Sequence, residues 1–192
     1  MKNPTQHPVH ELLQARWSPY EFDANAAVNN SDLKSIFEAA RWAMSAYNAQ
    51  PWRYIVANRA TNEALWHEVL STLVEPNQNW AKHVPVLALG MININFPHDG
   101  SSNPVALHDL GAASAFLTLE ATARGLVVHQ MSGIVAEKVT STFSLPDTIQ
   151  PATALAIGYS GKNDALDNAY ASRDEKPRER KPFSEIILRG EL

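Results

Sequence analysis

Cysteine is absent from all 192 residues, which excludes disulfides, thiolate metal sites and cysteine nucleophiles. Long apolar runs are missing as well, since none approaches the roughly 20 residues that a membrane span requires. Met1 to His10 is polar and lacks the apolar centre of a signal peptide, so the cytoplasm is the expected compartment. Positive charge is not in excess. The 16 Lys and Arg stand against 20 Asp and Glu, a net charge of −4 that leaves no footprint for nucleic acid. There is no Gly-rich Rossmann fingerprint, no Gly-Lys-Ser/Thr phosphate loop and no Gly-x-Ser-x-Gly nucleophile elbow. The histidines, at 7, 10, 67, 83, 98, 108 and 129, never fall in a metal-ligand spacing, so no metal is expected. Asp109 and Glu120 would lie about three turns apart along a helix, too far for shared acid–base work. Repeats, low-complexity stretches and linkers are also lacking. Chemistry must therefore come from something bound.

What is present suffices for one core. A hydrophobic fraction of 45% over this length predicts a single domain spanning residues 1–192. The chain is organised around Ala43 to Tyr54, where a helical pattern meets a strand. Ser31 can cap that helix, and Leu33, Ile36, Phe37, Ala40 and Met44 recur at the spacing of one buried face. Pro51 ends it, and Arg53 to Ala57 has the composition of a strand. Between them Ser45, Asn48 and Gln50 form a polar loop between two packed elements, a common place for recognition groups. It also reads as a plain helix-to-strand corner.

The remaining elements follow in order. His10 to Trp17 reads as a short helix, with Arg16 and Ser18 beside Trp17 as phosphate-binding material or as a simple offset of the helix dipole. Thr61 can cap a helix reaching about Val74, Glu75 to Asn79 reads as a loop, and Val84 to Ile92 as a buried strand. A short polar loop, Asn93 to Ser102, leads to Asn103-Pro104, a helix start. That helix should run to Arg124 and stop at Gly125. It is apolar nearly all round, and Gly111, Ala112, Ala113 and Ala115 permit close approach of another helix, so a homodimer is expected. Leu126 to Val128 reads as a strand, His129 to Gly133 as a turn, Val135 to Phe143 as a helix and Thr153 to Ile157 as a strand. His67 and His108 read as structural, whereas His129 lies in a candidate site turn. The charged tail ends in Phe183, Ile186, Ile187 and Leu188, apolar enough for a strand that must dock on its own sheet or a partner's.

Four stretches carry a resemblance. They are Arg16-Trp17-Ser18-Pro19, Ala40 to Arg53 with its Asn-x-Gln-Pro-Trp core, His129 to Ile134, and Arg178 to Pro182, supported by Asn77-Gln78 ahead of Val84-Pro85. With these in order, the chain resembles the nitroreductase-like family of FMN-dependent oxidoreductases from Arg16 to about Leu188. The resemblance implies an α+β fold, a mixed, mostly antiparallel sheet flanked by helices, in a domain-swapped homodimer. Its tail, from about residue 170 to 192, would wrap the partner, and two FMN molecules would lie at the interface. It implies that Arg16 and Ser18 beside Trp17, with Arg180 and Arg178, hold the flavin phosphate. It implies that Ser45 and Asn48 reach the flavin of the other subunit, that Met44 is among the cofactor-binding residues and that Asn77 bonds the ring's polar edge. Met131, Ser132 and Gly133 would lie against its reactive side, with Met131 and Ser132 facing the pocket.

The implied activity is hydride transfer from NAD(P)H, through the flavin, to a small acceptor such as a nitroaromatic, quinone or activated alkene, in two half-reactions at one site. A narrow metabolite substrate and a non-turnover flavin-binding sensor are the alternatives. Four positions depart from the family pattern. Met44 stands where relatives often have Pro, Tyr20 where a basic residue is common, Ala49 where many have Glu, and Ser132 where Gly is usual. The shortness of the loop between Ile92 and Asn103 predicts an open, permissive pocket.

Overall fold

A computed structural model describes residues 3–190; the outermost residues of the expected domain and tail, 1–2 and 191–192, lie outside them. Four strands form the sheet: β1 (Trp52–Asn58), β2 (Val86–Asn93), β3 (Val127–Met131) and β4 (Ile149–Gly158). They lie in the order β1-β2-β4-β3, and every neighbouring pair is antiparallel. The sheet is thus antiparallel throughout the described residues, rather than mixed.

Eight α-helices accompany the sheet among the described residues: α1 (Glu11–Ala15), α2 (Asn30–Arg41), α3 (Glu63–Ser71), α4 (Glu75–Ala81), α5 (Ala106–Ala123), α6 (Ala136–Thr142), α7 (Asn168–Asp174) and α8 (Phe183–Ile186). The two-residue alternation of the strands divides the core. Val86, Ala88, Leu155 and Ile157 pack with Leu33, Ile36, Leu110 and Leu117 of α2 and α5. Leu87, Leu89, Ala154 and Ala156 pack with Trp66, Val69, Trp80 and Val139 of α3, α4 and α6 on the other face. Glycine suits position 90 of β2 because a Cβ there would come within 2.8 Å of Thr153 Cγ2, beside a register shift at Gly90/Met91.

Several boundaries differ from the sequence expectation. Asn29, not Ser31, caps α2: its side-chain oxygen accepts from the Asp32 N–H at 2.7 Å. The helix stops at Arg41, so Met44 leaves its buried face and is 63% exposed. Asn62, not Thr61, caps α3, which ends at Ser71. Glu75 to Asn79 is helix rather than loop, because Pro76 sits in the first turn, where its missing N–H has no partner to lose, and Trp80 and Ala81 are buried. Asn103 accepts from Val105 N–H at 3.2 Å, and α5 begins three residues later. His129 to Met131 continues β3 and is no turn.

The tail departs furthest from the sequence expectation, and α5 keeps one face open in the single chain. In the single chain α5 is covered on one face only, by way of Asp109, Leu110, Ala113, Ser114, Leu117 and Ala121; Leu107, Gly111 and Ala115 are exposed. The tail ends in the single turn α8 instead of a strand and lies against the chain's own N-terminal segment, with the His7 and Phe183 rings 5.4 Å apart. No helix among the described residues is long and apolar enough to cross a membrane.

Candidate functional site

The two chain ends meet. The Asp174 carboxylate at the end of α7 accepts the Tyr20 N–H at 2.8 Å and the Glu21 N–H at 2.8 Å, and so pins the C-terminal segment beside Trp17-Ser18-Pro19. This contact had no signal in the sequence. It leads Arg178 and Arg180 back onto Arg16, and the three line one cavity of about 640 Å³ with Leu13, Phe183 and Ile186. Arg16 Nη1 donates to Ser18 Oγ at 3.2 Å, and Arg178 stacks over the Trp17 ring at 5.5 Å. Burial first, then the charges of Arg180 and Arg178, pulls the Arg16 guanidinium below its usual pKa. Three convergent guanidiniums oppose one another, and a multiply charged anion relieves that opposition. Their forked donors match phosphate oxygens.

A second cluster forms where α4 meets the residues after β3. Asn77 Nδ2 donates to the Gly133 carbonyl at 3.0 Å, and the Val74 N–H donates to the same oxygen at 3.1 Å. Thr153 Oγ1 donates to the Met131 carbonyl at 2.7 Å. Met131 is buried and Ser132 is exposed, so Ser132 alone of the pair presents its side chain outward. Gly133 leaves no room for a Cβ, which would overlap the Asn77 amide and approach Val74 Cγ2 to 2.8 Å. Gly133→Ala is accordingly expected to lower stability by about 1–3 kcal/mol, the usual effect of overpacking. Thermal unfolding measures it, and an unchanged midpoint would contradict the contact.

His129 joins the two clusters without belonging to either. Its Nδ1 lies 2.8 Å from the Pro19 carbonyl, so the neutral ring donates there, and its faces meet Tyr20 at 4.8 Å and Trp80 at 4.7 Å. It is a structural residue, whereas His67 and His108 are exposed on the surfaces of α3 and α5. Burial lowers its pKa from the ordinary 6.5, against smaller opposing effects from the Pro19 carbonyl and Asp174. The unfolded chain therefore binds a proton more readily, and stability present above pH 6.5 falls as the pH drops through the folded value. His83 is lowered in the same direction, by burial, Lys82 and Arg59. His129→Gln should flatten the fall in unfolding midpoint between about pH 7 and 5, leaving the His83 share. Parallel wild-type and variant slopes would count against a buried neutral His129.

Met44, Ser45 and Asn48 lie apart from both clusters. Their loop is strained: Tyr47, Asn48 and Gln50 all have positive φ, at 51°, 52° and 46°. Such conformations cost of order 1–3 kcal/mol each in a non-glycine residue and concentrate at functional sites. Ser45 Oγ accepts the Gln50 N–H at 3.0 Å, Arg53 Nη1 donates to the Gln50 carbonyl at 2.9 Å, and buried Asp109 of α5 accepts the Ala46 N–H at 3.2 Å. The Asn93 N–H of β2 donates to the Pro51 carbonyl at 2.8 Å and so ties down the end of the loop. Sequence reasoning does not anticipate this role of Asp109, although a carboxylate among the buried positions of an apolar helix is its signal.

The model of the nitroreductase family matches residues 13–159. The chain belongs to the nitroreductase family. Over 82 residues it is 40% identical to an uncharacterized 15.4 kDa protein of Mycolicibacterium smegmatis, covering 43% of this chain and 55% of that one. Over 93 residues it is 26% identical to the major NAD(P)H-flavin oxidoreductase of Aliivibrio fischeri, covering 48% of this chain and 43% of that one. The chain thus spans about half the length of these two curated relatives. A crystal structure of an oxidoreductase containing FMN superposes with a TM-score of 0.90 at 30% identity, covering 99% of this chain and 96% of that chain.

Proposed function

We infer that this nitroreductase-family protein is an FMN-dependent oxidoreductase that takes hydride from NAD(P)H and passes it to a small acceptor, of the nitroaromatic, quinone or activated-alkene class, at a single site. The convergence of Arg16, Arg178 and Arg180 carries the reading, because it builds a polycationic cradle for which a phosphate monoester is the fitting occupant. The FMN content of the structural relative and the NAD(P)H and flavin of the curated one support it. When bound, FMN supplies the hydride chemistry, and the protein supplies binding and orientation.

Arg16, Ser18 and Arg180, with Arg178 stacked on Trp17, hold the phosphate. Asn77 keeps the turn from Met131 to Gly133 close to α4, and Ser132 offers a hydroxyl at its rim. The open face of α5, with small Gly111 and Ala115 beside Leu107, supports a homodimer, as do exposed Trp42 and Met44. In it, Ser45 and Asn48 of one subunit reach the flavin of the other, and the tail, held on its own chain by Asp174, presents exposed Leu188 to the partner. A soluble cytoplasmic enzyme is the corresponding cellular reading.

The test is an absorbance spectrum of purified protein supplied with FMN, taken without oxygen before and after NADH or NADPH. Flavin bands that bleach within seconds are the expected result and identify the donor. Bands that stay oxidised would refute the reductase, and failure to retain FMN would refute the cofactor.

A further inference from the structure

Tyr47 is the oddest residue on the surface. It sits at φ 51°, where a side chain gains nothing from the backbone, yet the residue is 84% exposed. Two residues of the loop before α5 stand behind it. Phe96 meets the Tyr47 ring edge-on at 5.7 Å and 88°, and His98 meets it at 5.5 Å and 48°. Phe96 and His98 also touch one another, 5.3 Å apart. That loop is a small hairpin, closed by Phe96 N–H to the Ser101 carbonyl at 2.8 Å and by Gly100 N–H to the Phe96 carbonyl at 2.9 Å. It holds both rings against Tyr47.

Neighbouring rings therefore brace Tyr47 while much of its own surface stays free. An aromatic placed for core packing would be covered, and one placed at random would not be held in a left-handed turn locked by Ser45, Arg53 and Asp109. Offset stacking suits a flat, electron-poor partner. We propose that Tyr47, braced by Phe96 and His98, is the wall against which the aromatic ring of the acceptor stacks, and is thereby a specificity-determining residue. This rests on the proposed function, in which adjacent Asn48 lies beside the flavin of the other subunit. The short loop before α5 then leaves the pocket open above but walled on one side.

The experiment titrates oxidised, FMN-loaded protein with 4-nitrobenzoate, followed by the perturbation of the flavin absorbance. Tyr47→Asn removes the ring while suiting the left-handed backbone, and is expected to weaken binding about three- to tenfold. Tyr47→Phe should restore it, and Phe96→Ala should give a smaller loss. FMN affinity and molecular mass are measured on each variant. Equal binding by wild type and Tyr47→Asn overturns the inference, leaving the flavin reading standing. So does a Tyr47→Asn protein that becomes monomeric, which would make the ring a subunit contact. A wild-type protein that takes up no FMN overturns the functional reading and this inference together.

Discussion

Arg16→Met is expected to weaken FMN binding by about 10- to 150-fold without lowering the stability of the FMN-free protein. A hydrogen bond to a charged group contributes about 1.5–3 kcal/mol, and each 1.4 kcal/mol is a factor of ten. Methionine keeps much of the apolar stem of the side chain while removing the fork. Stability should not follow affinity downward, because the Arg16 charge sits partly buried beside Arg180 and Arg178, an arrangement that disfavours the cation. The two states of the protein should consequently respond in different ways. The FMN-loaded midpoint falls relative to wild type, because less stabilisation comes from the bound ligand. The FMN-free midpoint holds or rises.

Arg16→Lys refines the same measurement. A lysine supplies a point charge in place of a fork, so it should recover only part of the affinity. Added salt should weaken wild-type binding more than binding to Arg16→Met, since a charge contact has been removed from the variant. Fluorescence titration of FMN with both proteins, at low and high salt, checks all of this. Equal affinities in wild type and Arg16→Met would remove Arg16 from the phosphate site.

The sequence made the positive side of this site legible and hid much of its frame. Arginines at both ends are visible as charges, but Asp174, which brings them together through two backbone N–H groups, looks like any other tail residue. The long helix α5 was readable because Asn103-Pro104 and Gly125 mark its ends. By contrast, α4 is hidden in Asn77-Gln78-Asn79, whose local preference is for turns, and it forms because Trp80 and Ala81 bury its end. His129 and Gln130 suggested a turn by their polarity. Pairing with Ala156 and Leu155 of β4 overrides that preference and carries the strand on to Met131. The strained loop gave no warning, since positive φ is normally flagged by glycine and here falls on Tyr47, Asn48 and Gln50. The tail illustrates a different limit. Its apolar residues predicted docking, but a strand requires a free sheet edge in reach, and the single chain offers the N-terminal segment instead.

Trp80→Ala should be among the most damaging single changes, because one indole holds the layer beneath both candidate clusters. Trp80 is 1% exposed. Its ring meets Tyr20 edge-on at 5.2 Å, stacks with Phe22 at 6.2 Å and lies against His129 at 4.7 Å. Truncating a buried tryptophan to alanine costs about 3–5 kcal/mol through lost transfer energy and the cavity left behind. For a chain of this size each kcal/mol shifts the midpoint by about 2–4 °C, so a fall of roughly 6–20 °C is expected. The effect should extend to the site. Trp80 Nε1 lies 3.4 Å from Asn77 Oδ1, a long contact that still orients the amide whose nitrogen donates to Gly133. Trp80→Phe fills most of the space without that donor, and so separates the two roles. It should recover most of the midpoint while the contact from Asn77 to Gly133 loosens, read as faster amide exchange in the turn after β3. If Trp80→Phe restored both the midpoint and the exchange rate, Trp80 would be a core residue alone. If Trp80→Ala unfolded within a degree or two of wild type, the shared aromatic layer would not be what joins the chain ends to α4.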